Sequence, residues 1–188
     1  MMLPLIDMLA AGGCYWPSKD PGYAHGFAVP SGTRFSIALH GPKSRFYVSG
    51  ICREGWFEVL DGEHARTRFP TASRAVNTVR EPSTNAYLHV RFEVDGRWEE
   101  ADRMRELSRF AADAGEERAI KLASDLIRVK LREAGRKLED PDLFRSAAKL
   151  VQQRPTLAVE GRRQVEEERN MGVVAIVRRP GDGSWSLA

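Results

Sequence analysis

Cysteine is scarce in this chain: Cys14 and Cys52 are the only two among 188 residues. They stand far apart, in no metal-ligand spacing, and read as free thiols. Long hydrophobic runs are lacking too. Nothing approaches the ~18–20 apolar residues of a membrane helix, and Met1 to Ala11 has neither the basic n-region nor the length of a signal peptide. A cytoplasmic protein without membrane association is the expectation. Histidine is limited to His25, His40, His64 and His89, each isolated. No H-E-x-x-H, C-x-x-C, G-x-S-x-G or P-loop spacing occurs, so no catalytic residue, metal or cofactor is expected. A thiol–imidazole pair of Cys52 with His40 or His64 requires the strands between them to fold back on one another; otherwise Cys52 is a small buried hydrophobe and the imidazoles lie on turns.

What is present is a globular balance of 42% hydrophobic, 29% charged and 9% aromatic residues. It excludes collagen, a coiled-coil rod and a disordered tail, and it suits one domain or a domain with an appendage. Net charge is only +3, spread evenly: 14 basic and 13 acidic residues up to position 110, 15 and 13 beyond it. Arginine outnumbers lysine 23 to 6, a skew that genome base composition also produces.

The pattern divides the chain in three. In residues 1–110, Pro4 to Ala11 reads as a short helix stopped by Gly12-Gly13, and Cys14 to Pro30 reads as an irregular loop packed down by its aromatics. Between Thr33 and Leu60 the period becomes 2, with strands Arg34–Leu39, Phe46–Ile51 and Trp56–Leu60 forming an antiparallel meander. A short helix opens near Thr71 or Ser73, buries Ala72, Ala75, Val76 and Val79, and stops at Pro82. Ala86 to Val94 is a fourth strand, with Leu88, Val90, Phe92 and Val94 on one face, turning at Asp95-Gly96 into Arg97-Trp98. In residues 111–171 helices dominate. Ala101–Ala114 already begins this character and ends at Gly115; Glu116–Ala134 ends at Gly135; a third, capped by Asp140 with Pro141 behind it, runs to about Gln153; a weaker fourth runs from Leu157 to about Asn170 with Gly161 inside it. In residues 172–188, Val173–Val177 and Trp185–Leu187 read as a terminal β-hairpin, an apolar strand pair that calls for a sheet edge or other cover. The fold class expected is α+β: a small antiparallel sheet with short packed helices, then a helical extension and the hairpin.

Two basic clusters stand out. At 100° per residue, Arg118, Lys121, Arg128, Arg132 and Arg136 share an arc of about 80°, broken only by Asp125, opposite Ile120, Ala123, Ile127, Leu131 and Ala134. At 1.5 Å rise the stripe spans roughly 27 Å and suits phosphates along one face of a duplex; the alternative is a solvated face neutralised by Glu166 to Glu168. A third stripe, Leu122, Leu126 and Val129, is apolar outside the core face and suggests a neighbouring helix, a partner protein or a second subunit. The other cluster, Arg66, Arg68, Arg74, Arg80, Arg91 and Arg97 with Lys43 and Arg45, lies near Trp56, Tyr87 and Trp98, residue types suited to phosphate contacts and base stacking. The carboxylates Glu99 and Glu100 have arginine neighbours and read as ion pairs rather than an acid/base pair.

Taken in order, residues 33–106 resemble a RAMA domain, the module associated with restriction enzymes and adenine methylases. The helix Leu5–Gly13 precedes a strand opening Gly32-Thr33-Arg34-Phe35; a second strand leads to Gly55-Trp56 and a third ends at Asp61-Gly62. Phe69-Pro70-Thr71-Ala72-Ser73-Arg74-Ala75-Val76 is similar to the family's F-x-S-P-S-x-A-A segment, Asn85-Ala86-Tyr87 stands where Asn-Gly-Trp is usual, and Met104-Arg105 resembles the closing Leu-Arg. The resemblance implies a small non-enzymatic module that binds DNA, modified bases among the candidates, in a defence or mobile-element context. It implies roles at Thr71, Ser73, Arg74, Asn85, Tyr87 and Arg105. The expected nucleic-acid contacts are therefore Arg74, Arg80, Asn85, Tyr87 and Arg91, with Arg118, Lys121, Arg128, Arg132 and Arg136. The alternative is a protein-interaction adaptor working through Leu122, Leu126 and Val129, which solvent exposure of that stripe would favour.

Overall fold

The structure, a computed structural model, describes residues 4–17, 26–40, 45–80, 86–107, 110–174, 177–178 and 185–186. The fold is α+β. After helix α1 (Leu5–Ala10) and strands β1 (Cys14–Trp16) and β2 (Phe27–Val29) come β3 (Arg34–Ala38), β4 (Tyr47–Arg53), β5 (Trp56–Val59) and β6 (Arg68–Phe69). Helix α2 (Ala72–Val79) and a 3-10 turn (Ala86–His89) precede β7 (Val90–Val94) and β8 (Arg97–Glu100), and α3 (Ala101–Glu106) leads into three long helices, α4 (Ala114–Glu133), α5 (Asp140–Gln153) and α6 (Thr156–Val174).

Six strands form one antiparallel sheet in the order β6-β5-β4-β3-β7-β8. Alternation sends Phe35, Ile37, Val48, Cys52, Phe57, Val59, Val90 and Phe92 into a core that α2 and α3 close with Ala72, Ala75, Val76, Ala101 and Met104. Phe35 lies opposite Gly50 in the β3–β4 register, and its ring occupies the space where a Cβ on residue 50 would stand, 2.0 Å from Cζ. Any larger residue at position 50 displaces the ring. Thr71 caps α2 by accepting from the Arg74 N–H at 3.1 Å, as its type and position require.

A second core belongs to the helices. Leu5, Met8 and Leu9 of α1 meet Ala119, Ile120 and Ala123 of α4 and Ala147, Ala148 and Val151 of α5. Helix α4 ends with two bonds around Gly135 at φ +64°: Gly135 N–H to the Arg132 carbonyl and Arg136 N–H to that of Leu131. This left-handed stop is the one the glycine predicts.

Several expectations need correction. Cys14–Trp16 and Phe27–Val29 are not irregular: they pair with each other, and all six residues are buried. The ribbon lies between the two cores, with Cys14, Trp16, Phe27 and Val29 toward the sheet and Tyr15 and Ala28 toward the helices. No polar position marks the period. The expected strand from Ala86 begins only at Val90, after the 3-10 turn, and Leu88 is 45% exposed instead of buried. The expected helix Ala101–Ala114 stops at Glu106 because Phe110 to Ala112 leaves to pair with the ribbon, the Ala28 N–H donating to the Phe110 carbonyl and the Ala112 N–H to that of Gly26. Asp113 then caps α4, accepting from Gly115 and Glu116 N–H at 2.9 and 3.1 Å. Gly115, expected as a stop, sits inside α4 where α6 crosses it. Glu139, not Asp140, occupies the cap position of α5, with no side-chain bond. Val173 and Val174 continue α6; the terminal strands are Val177–Arg178 and Trp185–Ser186, paired with each other in a sheet of their own. Among the described residues no helix is long and apolar enough to cross a membrane.

Candidate interaction groove and basic surfaces

On the face of the six-stranded sheet away from its core lie Arg68 and Arg91 of the sheet-side cluster, together with Arg34 and Arg53, and each of the four meets a glutamate. Arg34 meets Glu93 at 3.8 Å, Arg53 meets Glu58 at 3.5 Å, and Arg68 meets Glu54 at 3.3 Å while lying over the Trp56 ring. Arg91 donates to the Tyr47 hydroxyl at 3.2 Å and approaches Glu100 at 3.8 Å. Glu99 meets Arg103 at 3.5 Å; both carboxylates are in ion pairs, as their neighbours suggested.

The residues around α2 separate. Arg74 projects into solvent. Tyr87 is half-buried, stacked on Trp16 with ring centroids 4.1 Å apart and planes 15° apart. Arg80 is half-buried at the end of α2. Asn85 lies outside the described residues, as does the Arg105 side chain.

On α4 the basic stripe is partly answered by the chain's own acids. Glu168 of α6 accepts twice from Arg118, at 2.5 and 2.6 Å. Arg128 is held between Asp125 at 3.2 Å and Asp140 at 3.7 Å. Lys121, Arg132 and Arg136 are exposed and meet no carboxylate among the described residues. Of the five cations, Arg118 at the start of the stripe and Arg128 in its middle are neutralised, and Lys121, Arg132 and Arg136 have no acid partner among the described residues.

Cys52 is fully buried, and its neighbour is Cys14, not an imidazole; burial above all, and then the adjoining thiol, pushes its pKa up. Cys14 in turn donates to the Trp56 carbonyl at 3.1 Å. A protonated, enclosed thiol is a packing group, not a nucleophile. Among the described residues no group of three His, Cys, Asp or Glu side chains has metal-site geometry.

Among the described residues a groove runs between α4 and α5, with a volume of about 370 Å³. Leu126 and Ile127 form one wall and Leu150 the other; Lys130, Lys149 and Arg154 are the charged residues lining it, with Ser146 and Gln153 completing it. None of those three cations meets a carboxylate among the described residues. Leu126 is 45% exposed and the neighbouring Val129 51%, whereas Leu122 is half-buried. The third stripe of α4 therefore does leave the core, and its C-terminal two-thirds faces solvent beside the groove. The α5 wall is not among the surfaces expected from the sequence. Its signal is there: Ser146, Lys149, Leu150 and Gln153 recur at i, i+3, i+4 and i+7, adjoining the buried Leu143, Ala147 and Val151.

Comparison of the chain with protein families, curated proteins and solved structures found no match.

Proposed function

We propose that this protein is a non-enzymatic interaction adaptor whose helical half receives an acidic amphipathic helix of a partner protein in the α4–α5 groove. One observation carries the reading: an apolar cleft open to solvent whose charged lining, Lys130, Lys149 and Arg154, is entirely cationic. Two parallel walls of side chains with a gap between them accept a third helix by interdigitation. Apolar anchors spaced i, i+4 on the partner fill the space between Leu126 and Leu150, and flanking Glu or Asp side chains meet the three cations. Rim charges of this kind favour encounter and partner choice more than raw affinity.

The test uses the intact chain and a labelled helical peptide carrying two leucines at i, i+4 flanked by glutamates, followed by fluorescence anisotropy. Saturable binding that Leu126→Asp weakens tenfold or more, about 1.4 kcal/mol, is expected. Equal binding by wild type and variant overturns the reading. If Leu126→Asp instead abolishes self-association of the chain, the occupant is a second copy and the separate partner is excluded.

DNA binding, which the RAMA-like order of residues implies, is the second reading, and what favours it is that Arg74, Lys121, Arg132 and Arg136 are exposed and meet no carboxylate among the described residues. Such binding rests on a few phosphate contacts and falls with salt accordingly. Duplex binding at low salt that is lost in Arg132→Glu/Arg136→Glu is the expected result; absence of binding at low salt removes this reading and leaves the groove.

A further inference from the structure

We propose that the α4–α5 groove is a binding site for a single-chain fatty carboxylate, and that such a ligand regulates the adaptor by excluding the partner helix. The exclusion rests on the helix-receiving role of the groove; the binding of the ligand does not. Leu126, Ile127 and Leu150 make the groove apolar, and its volume of about 370 Å³ lies at the small end of the range for small-molecule sites. From Ser146 to Gln153 the lining runs roughly 10 Å along α5 by the 1.5 Å helical rise. An extended alkyl chain of about ten carbons, with bonds of about 1.5 Å, has that length. Leu126 is 45% exposed, so an alkyl chain laid over it removes apolar surface from water.

The charges select the head group. Lys130, Lys149 and Arg154 line the groove, and among the described residues no carboxylate lines it or meets any of the three. Long cationic side chains lay their methylenes along apolar surface and keep the charge at the water boundary. The same three residues therefore extend the apolar trough and edge it with positive charge. An amphiphile with a neutral head gains no ion pair from that edge, and one with a cationic head is repelled. A carboxylate head gains charge-assisted hydrogen bonds from ammonium and guanidinium groups. The acidic helix and the fatty carboxylate bring the same two chemistries, aliphatic carbon and carboxylate, to the same side chains, so one excludes the other.

The test is calorimetric titration of the full chain with hexanoate, octanoate and decanoate below micelle formation, with decanol, decyltrimethylammonium and acetate as controls. Decanoate is expected to bind saturably and at least tenfold tighter than any control, and each two-carbon extension should tighten binding about tenfold. Leu126→Asp should weaken decanoate tenfold or more. The combined variant Lys130→Gln/Lys149→Gln/Arg154→Gln, at three exposed positions, should bind decanoate and decanol alike. Decanoate should also displace the labelled leucine–glutamate helical peptide in anisotropy, and acetate should not. If the peptide binds and decanoate gives no saturable heat, the ligand site falls and the helix-receiving groove stands. If decanoate binds through Leu126 and the peptide does not bind, the adaptor reading falls and the ligand site stands. Binding indifferent to chain length, or equal in wild type and Leu126→Asp, overturns the ligand site, tighter binding of monodecyl phosphate than of decanoate overturns the carboxylate assignment, and simultaneous binding of peptide and decanoate overturns the exclusion.

Discussion

Tyr15 and the two glutamates at the start of α4 hold the halves of the molecule together. The Tyr15 hydroxyl donates to Glu117, which also accepts from the Gly26 N–H at 3.1 Å, while Glu116 accepts from the Leu5 N–H at 2.9 Å. Burial, and then the Glu117 charge, pushes the Tyr15 pKa far up, so the phenol stays a donor at any ordinary pH. Removing one partner of a shielded pair exposes the full cost of the other. Tyr15→Phe is therefore expected to destabilise the chain by about 1–3 kcal/mol in urea unfolding; an unchanged midpoint would show that Glu117 needs no second donor. Glu116 behaves differently. Burial raises its pKa, the Leu5 N–H and Arg162 oppose the rise, and Asp113 and Asp7 add to it. A raised folded-state pKa means that its contribution to stability is fully present below the ordinary carboxyl range and is lost as pH rises through the raised value. Glu116→Gln keeps an acceptor for Leu5 and removes the titration. It is expected to be at least as stable as wild type at neutral pH and to flatten the acid-to-neutral stability profile, and a clear loss at neutral pH contradicts this.

Helices α4 and α6 make contact through glycine. A Cβ on Gly161 would stand 2.5 Å from the Gly115 carbonyl oxygen and 2.7 Å from the Ala119 nitrogen, and one on Gly115 would meet the Arg162 Cγ at 2.5 Å. Gly161 weakens α6 as an isolated helix by about 1 kcal/mol relative to alanine, yet it sets the distance at which Glu168 reaches Arg118. Gly161→Ala should lower stability by about 1–3 kcal/mol through overpacking, despite the better helix propensity; a gain in thermal stability would show that the backbones separate without penalty. This pair also marks the limit of what the chain's sequence reveals. The meander, α2 with its Thr71 cap, and the Gly135 stop follow from period 2, period 3.6 and one left-handed turn, all local signals. Gly115 and Gly161 carry the same letters as a stop and a flaw, because their reason lies on another helix. The β1–β2 ribbon is hidden by a related cause: covered on both faces, it has no alternation to read. For the candidate site, the α4 half was legible as an apolar stripe off the core face. The α5 half carries a signal too, Ser146, Lys149, Leu150 and Gln153 at helical spacing, but that stripe adjoins the core stripe Leu143, Ala147 and Val151, and only the tertiary fold separates a cleft-lining Leu150 from a core residue.

The whole molecule is two cores, one of the sheet and one of the helices, joined by the β1–β2 ribbon. On the open face of the sheet Arg34, Arg53, Arg68 and Arg91 are paired with Glu93, Glu58, Glu54 and Glu100. In the helical half, Lys130, Lys149 and Arg154, which meet no carboxylate among the described residues, line the α4–α5 groove beside the exposed Leu126. A surface that is apolar within and cationic at its rim specifies the charge of what fills it. The most direct test is charge inversion. Lys130→Glu, Lys149→Glu and Arg154→Glu are combined in the full chain, and anisotropy is measured with two leucine-bearing helical peptides, one flanked by glutamate and one by lysine. Wild type is expected to prefer the acidic peptide and the inverted chain the basic one, each by tenfold or more at low salt. Two chains that keep the same preference, or bind both peptides alike, would contradict it.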